Sequence, residues 1–495
     1  MTGSAKRTAL LAVVFAGMAL SPAWAAKDSL VLGMVLEPPH LDPTAGAAAA
    51  IREVTYANIF EGLTRIDRNS AVKPALAESW TVSPDGLTYT FTLRKGVTFH
   101  DGTPFTSADV AFSLKRAMAP DSTNAQKQLF EPIDAVDTPD PATVVVRLKR
   151  PTGLFLYNMG WGDAVVMSEK SAGDAKTNPV GTGPFKFTRW SKGDRIEMEK
   201  YPAHWNAANI RLAKATFRII PDPQAQVAAL RAGDIDAMPN IGASESIDQF
   251  RKDPRFTVSI GNTEGETILA MNNKKKPFDD VRVRRAIAHA IDKRAIIEGA
   301  MNGFGTPIGS HFSPSHPAYI DLVDLYKYDP ATSRRLLKDA GVENLQVTLR
   351  LPPPAYARRG GELVAAMLQE VGIQATIQPL EWAQWLDQVF RRTDYDLTIV
   401  SHTEPLDIGI YARDTYYFNY DNPAFKELIR KAAEERNDGV RNGLYQQAQR
   451  MLADDSVNVF MFMLPKLGVW NAKLKGMWDN VPIPANDLTE VYWVD

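Results

Sequence analysis

Residues 346 to 407 constrain this chain most, because short apolar runs alternate there with helix-period segments. The runs at 347–351, 373–377 and 397–400 are rich in β-branched side chains and read as strands. Between the first two, Leu363, Val364, Met367 and Leu368 recur at helical spacing over 362–371. Gly372 follows where a glycine commonly ends a helix. The segment 382–390 carries Trp382, Trp385, Leu386 and Val389 on one helical face. Strands alternating with helices predict a parallel sheet with right-handed crossovers. Such sheets bind small ligands beyond the carboxyl ends of their strands. Two loops are expected to meet there: 352–358, with Tyr356 and Arg358, and 401–407, with His402, Glu404 and Asp407.

The chain is 495 residues long and 45% apolar, which implies more than one domain with real cores. A net charge of −2 leaves no basic footprint, so nucleic acid is not an expected partner. There is no cysteine, which excludes disulfides, thiol catalysis and cysteine metal ligands. At the start, Lys6 and Arg7 precede an apolar stretch over 9–20 and then Ala23-Trp24-Ala25. That is the layout of a secretory signal peptide over 1–26, with cleavage after Ala25. The stretch is too short to span a bilayer, and no second apolar run reaches about 18 residues. The mature chain is therefore expected to be soluble and exported, with the Gram-negative periplasm as its location. A secreted enzyme would share these features.

Further along, 30–36 reads as a strand running into Glu37-Pro38-Pro39-His40-Leu41-Asp42-Pro43, where prolines force an extended connection. Residues 88–94 and 143–148 alternate as half-buried strands do. Thr106 or Ser107 caps a helix over 108–118, with Asp109 in its first turn. Asp222-Pro223 starts a helix that closes at Gly233. Asp279 or Asp280 starts another through Arg294, on which Arg282, Arg284 and Arg285 read as a solvated face. Residues 267–271 and 457–463 read as further strands, and Tyr416, Tyr417, Phe418 and Tyr420 as core aromatics.

Ala77-Glu78-Ser79-Trp80, Ser83-Pro84-Asp85-Gly86, 89–94, Phe99-His100-Asp101-Gly102-Thr103-Pro104-Phe105 and Asp109-Val110 together resemble the family 5 extracellular solute-binding proteins. These are the peptide, opine and nickel binders of ABC importers. The likeness continues through Gly181-Thr182-Gly183-Pro184-Phe185, 201–205 and Gly233-Asp234-Ile235-Asp236. Gly181-x-Gly183 is not a nucleotide fingerprint, since it lacks the third glycine and opens a strand. The resemblance implies an α/β fold like the type II periplasmic binding proteins. It would have two main lobes, an additional α/β subdomain and a two-stranded hinge. Lobe I would comprise 27–73, 180–264 and 478–495, the subdomain 74–179, and the third lobe 265–477.

No local enzyme signature accompanies this. None of the seven histidines has metal-binding spacing, and there is no G-x-S-x-G elbow or P-loop. His311 and His316 sit in a Pro/Ser loop, and no metal or other cofactor is expected. Glu404 and Asp407 suit a cationic ligand group; otherwise they solvate or cap the loop. Peptide-binding relatives use an acid in this loop for the ligand's amino terminus, although their tryptophan is replaced here around Ser401 and His402. Tyr356 and Arg358 suit a ligand carboxylate, or Arg358 starts a helix facing water. Relatives that bind dipeptides carry an arginine slightly earlier, where this chain has Pro354 and Ala355. Trp161, between glycines, stacks on a ligand from the subdomain or is simply packed, with Asp163 beside it. His40 touches ligand or is structural, and Trp382 begins a helix near the crevice. The expected function is capture of a short peptide or amino-acid conjugate, delivered by a monomer to an inner-membrane ABC permease. A nickel-chelate or opine/sugar-type binder and a secreted hydrolase are the alternatives.

Overall fold

The computed structural model describes Met1, residues 27–404 and residues 406–494. The expected signal peptide lies outside the described residues. Among those residues, no helix is long and apolar enough to cross a membrane.

A mixed eleven-stranded sheet forms the backbone of the molecule. Two long strands, Phe256–Met271 and Asn458–Asn471, run antiparallel through its middle. They pair from Phe256 opposite Asn471 to Asn262 opposite Pro465, lose register, and resume from Glu266 opposite Met463. Before the break, Asn458–Asn471 extends the sheet into Ala237–Met238, Ser29–Met34 and Lys214–Ile219. Beyond it, Phe256–Met271 extends the sheet into Leu397–His402, Leu345–Leu351 and Ile373–Pro379. These last three are parallel to one another, as their strand–helix alternation predicts.

Period-two alternation divides the core around this second half. Leu269, Met271, Leu349 and Ile399 pack under Val283, Ile287, Ile296 and Val364. Ile268, Ala270, Val400 and Phe460 face an aromatic core containing Trp385, Tyr395, Tyr411, Tyr417 and Phe418.

A separate antiparallel sheet orders Ala77–Val82, Thr88–Leu93, Thr143–Leu148 and Ile133–Asp140. Helix Ser107–Met118 covers it with Val110 and Leu114, and Thr106 and Asp109 form a capping box at its start. The Phe99-His100-Asp101-Gly102 stretch ties this sheet to the rest. His100 N donates to Gly181 O at 2.9 Å, and His100 Nε2 lies 2.9 Å from Gly183 O. A Cβ on Gly181 would meet Ile59 O at 1.9 Å, and one on Gly183 would meet Asn58 O at 2.4 Å. These glycines are required by backbone contact, not by a bound phosphate.

Candidate functional site

The carboxyl end of Leu397–His402 delivers the 401–407 loop to the gap between the two halves of the large sheet. Helix Ala355–Glu370 starts beside it after Leu345–Leu351. The two loops do meet: Ser401 N donates to the Tyr356 hydroxyl at 3.0 Å. Around them lies a cavity of about 310 Å³. Its opposite wall is the exit of Ser29–Met34 together with residues 47–50 and Glu53, and Gln126 enters from the smaller sheet's segment.

Of the residues singled out in the sequence, Tyr356, Trp382, His402, Glu404 and Asp407 line this cavity. Trp382 stacks on Trp385 with centroids 5.2 Å apart and planes 6° from parallel. Burial pushes His402 down to about 4, so its ring is neutral at pH 7, and Nε2 sits 2.8 Å from the Tyr417 hydroxyl. Asp407 Oδ1 lies 3.0 Å from His311 Nε2, and His311 Nδ1 lies 3.0 Å from Glu266 Oε1.

The other four lie off the cavity wall. Arg358 donates to Pro352 O and Leu380 O, both at 2.9 Å, so its guanidinium serves the backbone around the helix start. Trp161 is buried in a cluster with Tyr56, Tyr157 and Trp478. His40 accepts from Asp42 N, and burial lowers its basicity. Asp163 is buried behind the cavity but reaches it through one intermediary. Arg52, on helix Ala49–Thr55, donates from Nη1 to Asp163 Oδ1 at 3.1 Å and from Nη2 to Glu404 Oε1 at 3.2 Å. The three side chains are 2%, 0% and 15% exposed, and they come from three distant stretches of chain. Burial pushes Asp163 up to about 6 against the pull of Arg52. Burial likewise raises Glu404, with Arg52 opposing and Asp407 reinforcing.

Sequence reasoning missed Arg52, whose one signal is a charged pair, Arg52-Glu53, inside an otherwise apolar helical run. It also missed Glu53, Gln126, Arg413 and Tyr416 on the cavity wall. Tyr417 and Phe418 are core aromatics as expected, whereas Tyr416 lines the cavity. Two groups bring potential metal ligands within 4.8 Å of one another: Glu266, His311 and Asp407, and His402, Glu404 and Asp407. Each member is already engaged by an ion pair or hydrogen bond to a neighbour, so these are better described as charge networks than as open ligand sets.

Residues 71–427 match the family described as bacterial extracellular solute-binding proteins, family 5 middle. Over 96% of both chains, the protein is 28% identical to the glutathione-binding protein GsiB of Pectobacterium atrosepticum. It is 32% identical to GsiB of Salmonella typhi over 74% of this chain and 72% of that one. Its structure is similar to the ABC transporter-associated periplasmic binding protein DppA from Helicobacter pylori in complex with the peptide STSA. That match has a TM-score of 0.85 and 26% identity, and covers 94% of this chain and 98% of the other.

Proposed function

The chain belongs to the family 5 bacterial extracellular solute-binding proteins, and from that premise we propose that it captures a short peptide, with glutathione the first candidate, for an inner-membrane ABC permease. The protein has the type II periplasmic binding fold and is a solute-binding component of an ABC importer. In our reading it works in the periplasm as a monomer, without catalysis and without nucleic acid. In the same reading, 27–73 with 180–264 and 478–495 form one lobe and 265–477 the other, with 74–179 as the added subdomain. They close about the two crossing strands at the register break near 262–266, and the solute shifts the open–closed balance.

One observation carries this reading: a cavity of about 310 Å³ between the halves of the sheet, with Glu404 on its wall. That volume is at the small end of the roughly 300–1,000 Å³ typical of small-molecule sites, and it favours a compact solute. With both acids ionised, Asp163, Arg52 and Glu404 together carry one negative charge in excess. A ligand ammonium at Glu404 cancels it through a charge-assisted hydrogen bond in a desolvated setting.

Calorimetric titration of glutathione, di- to tetrapeptides, an opine and a nickel–histidine chelate tests this directly. Glu404→Gln is expected to weaken the amine-bearing ligand by about 1.5–3 kcal/mol, the scale of a hydrogen bond to a charged group. Unchanged affinity would remove Glu404 from the site, and turnover of the peptide by purified protein would replace transport with hydrolysis. Tight binding of the nickel–histidine chelate alone would establish the nickel-chelate alternative.

A further inference from the structure

The cavity wall is unequal in charge. Its lining includes the carboxylates Glu37, Glu53, Glu404 and Asp407, and among the described lining residues a single permanent cation, Arg413. Three of the acids are already engaged. Glu37 accepts from Trp190 Nε1 and Gly193 N, both at 2.9 Å, while Glu404 meets Arg52 and Asp407 meets His311. Arg413 is not paired with any of them. Among the described residues it makes no ion pair. Its one hydrogen bond runs from Nη2 to Gln126 Oε1 at 3.3 Å, long for a guanidinium. Its guanidinium carbon lies 5.0 Å from the centroid of the Tyr416 ring, another lining residue. Its Nε is buried and has no partner among the described residues.

A buried N–H without an acceptor is costly and calls for one. The vacant donor and the weakly used one, Nε and Nη2, lie on one edge of the guanidinium. That edge matches the two oxygens of a carboxylate. Gln126 is a neutral acceptor from the smaller sheet's segment, so it holds the edge in place without discharging it.

Resting on the reading of this cavity as a peptide site, we propose that Arg413, steadied by Gln126 and Tyr416, is the carboxylate subsite for the ligand. The role expected of Arg358 thus passes to a residue after the 401–407 loop. The cavity selects solutes with an anionic group at Arg413 and an ammonium at Glu404.

The test uses glutathione and the peptide Ser-Thr-Ser-Ala, each as the free acid and with its carboxyl groups amidated, titrated calorimetrically into the wild-type protein, Arg413→Gln and Arg413→Lys. The wild type is expected to prefer the free acid by roughly ten- to hundredfold, the range of a hydrogen bond to a charged group. Arg413→Gln should lose that preference while keeping its affinity for the amide, and Arg413→Lys should restore part of it. A wild type that binds both forms equally overturns the assignment whether or not the variants fold, and leaves the peptide reading intact. Retention of the preference in folded Arg413→Gln also overturns it. Failure of the wild type to bind any of the four compounds overturns the peptide reading and this assignment together.

Discussion

Two acid–base–acid triads border the cavity, and they differ in the base. In one, Arg52 stands between Asp163 and Glu404; in the other, His311 stands between Glu266 and Asp407. Both are buried, with ion-pair distances of 3.0 to 3.2 Å. The first draws on three distant stretches of chain, the second on residues 266–407 alone. A guanidinium keeps its charge in proteins, so the first triad adjusts only through its acids. Burial alone would lower His311, but Glu266 and Asp407 outweigh it and push the imidazole up to about 10. Burial pushes Glu266 up to about 8, with Asp407 adding to the rise. The two acids favour the protonated imidazole, so within this triad Asp407 already faces a cation 3.0 Å away. Both acids line the cavity, but the Glu404 side chain is 15% exposed against 3% for Asp407, and that favours Glu404 as the proposed acceptor for a ligand cation.

Arg52→Met should separate the two triads most sharply. Removing one partner of a buried ion pair leaves the others uncompensated and costs about 3–5 kcal/mol. Urea unfolding is the measurement, and a variant as stable as the wild type would show that Arg52 holds neither acid. His311→Gln should cost less, about 1–3 kcal/mol near pH 6.5, because its acids can take up protons in place of the lost charge. His311 also predicts a slope with pH. Its folded value of about 10 lies above the ordinary 6.5, so its contribution is complete below about 6.5 and disappears as pH rises through 10. Urea midpoints from pH 6.5 to 10 should fall in the wild type, and a flat profile would contradict a charged His311.

The smallest effect concerns binding. Burial raises Glu404 and lifts Asp163 to about 6, so acidification protonates the arginine triad and removes the charge an ammonium needs. Affinity for an amine-bearing peptide should drop by roughly tenfold between pH 8 and pH 5, a step of about 1.4 kcal/mol. Asp407→Asn should keep that dependence, whereas Glu404→Gln should abolish its Glu404 part.

Much of the fold is legible where local rules act alone. Asp222 caps helix Pro223–Ala232 by accepting from Ala225 N at 2.7 Å, and Gly233 closes it with φ +82°. The strands of the 345–402 region stand where their apolar runs predict. Elsewhere distant partners decide. The helix read over 362–371 begins at Ala355, because three prolines and Gly360-Gly361 look like a loop. A Cβ on Gly361 would sit 2.3 Å from Leu351 Cδ1, so glycine there serves helix–strand contact. Arg284, read as solvated, is buried and donates to the carbonyls of Phe278, Asp455 and Ser456. The strands read over 267–271 and 457–463 are parts of the long crossing pair, whose turn-like residues are held straight by each other across the chain.

Periodicity, capping residues and motif order, all properties of neighbouring residues, were enough to determine the family, the parallel strands and the loop that carries Glu404. Only the folded chain decided which charges meet. Arg52 finds Glu404 352 positions away, and Arg413 finds Gln126 287 positions away. A charge is placed by the whole surface that buries it, and no local pattern encodes the other side of a cavity.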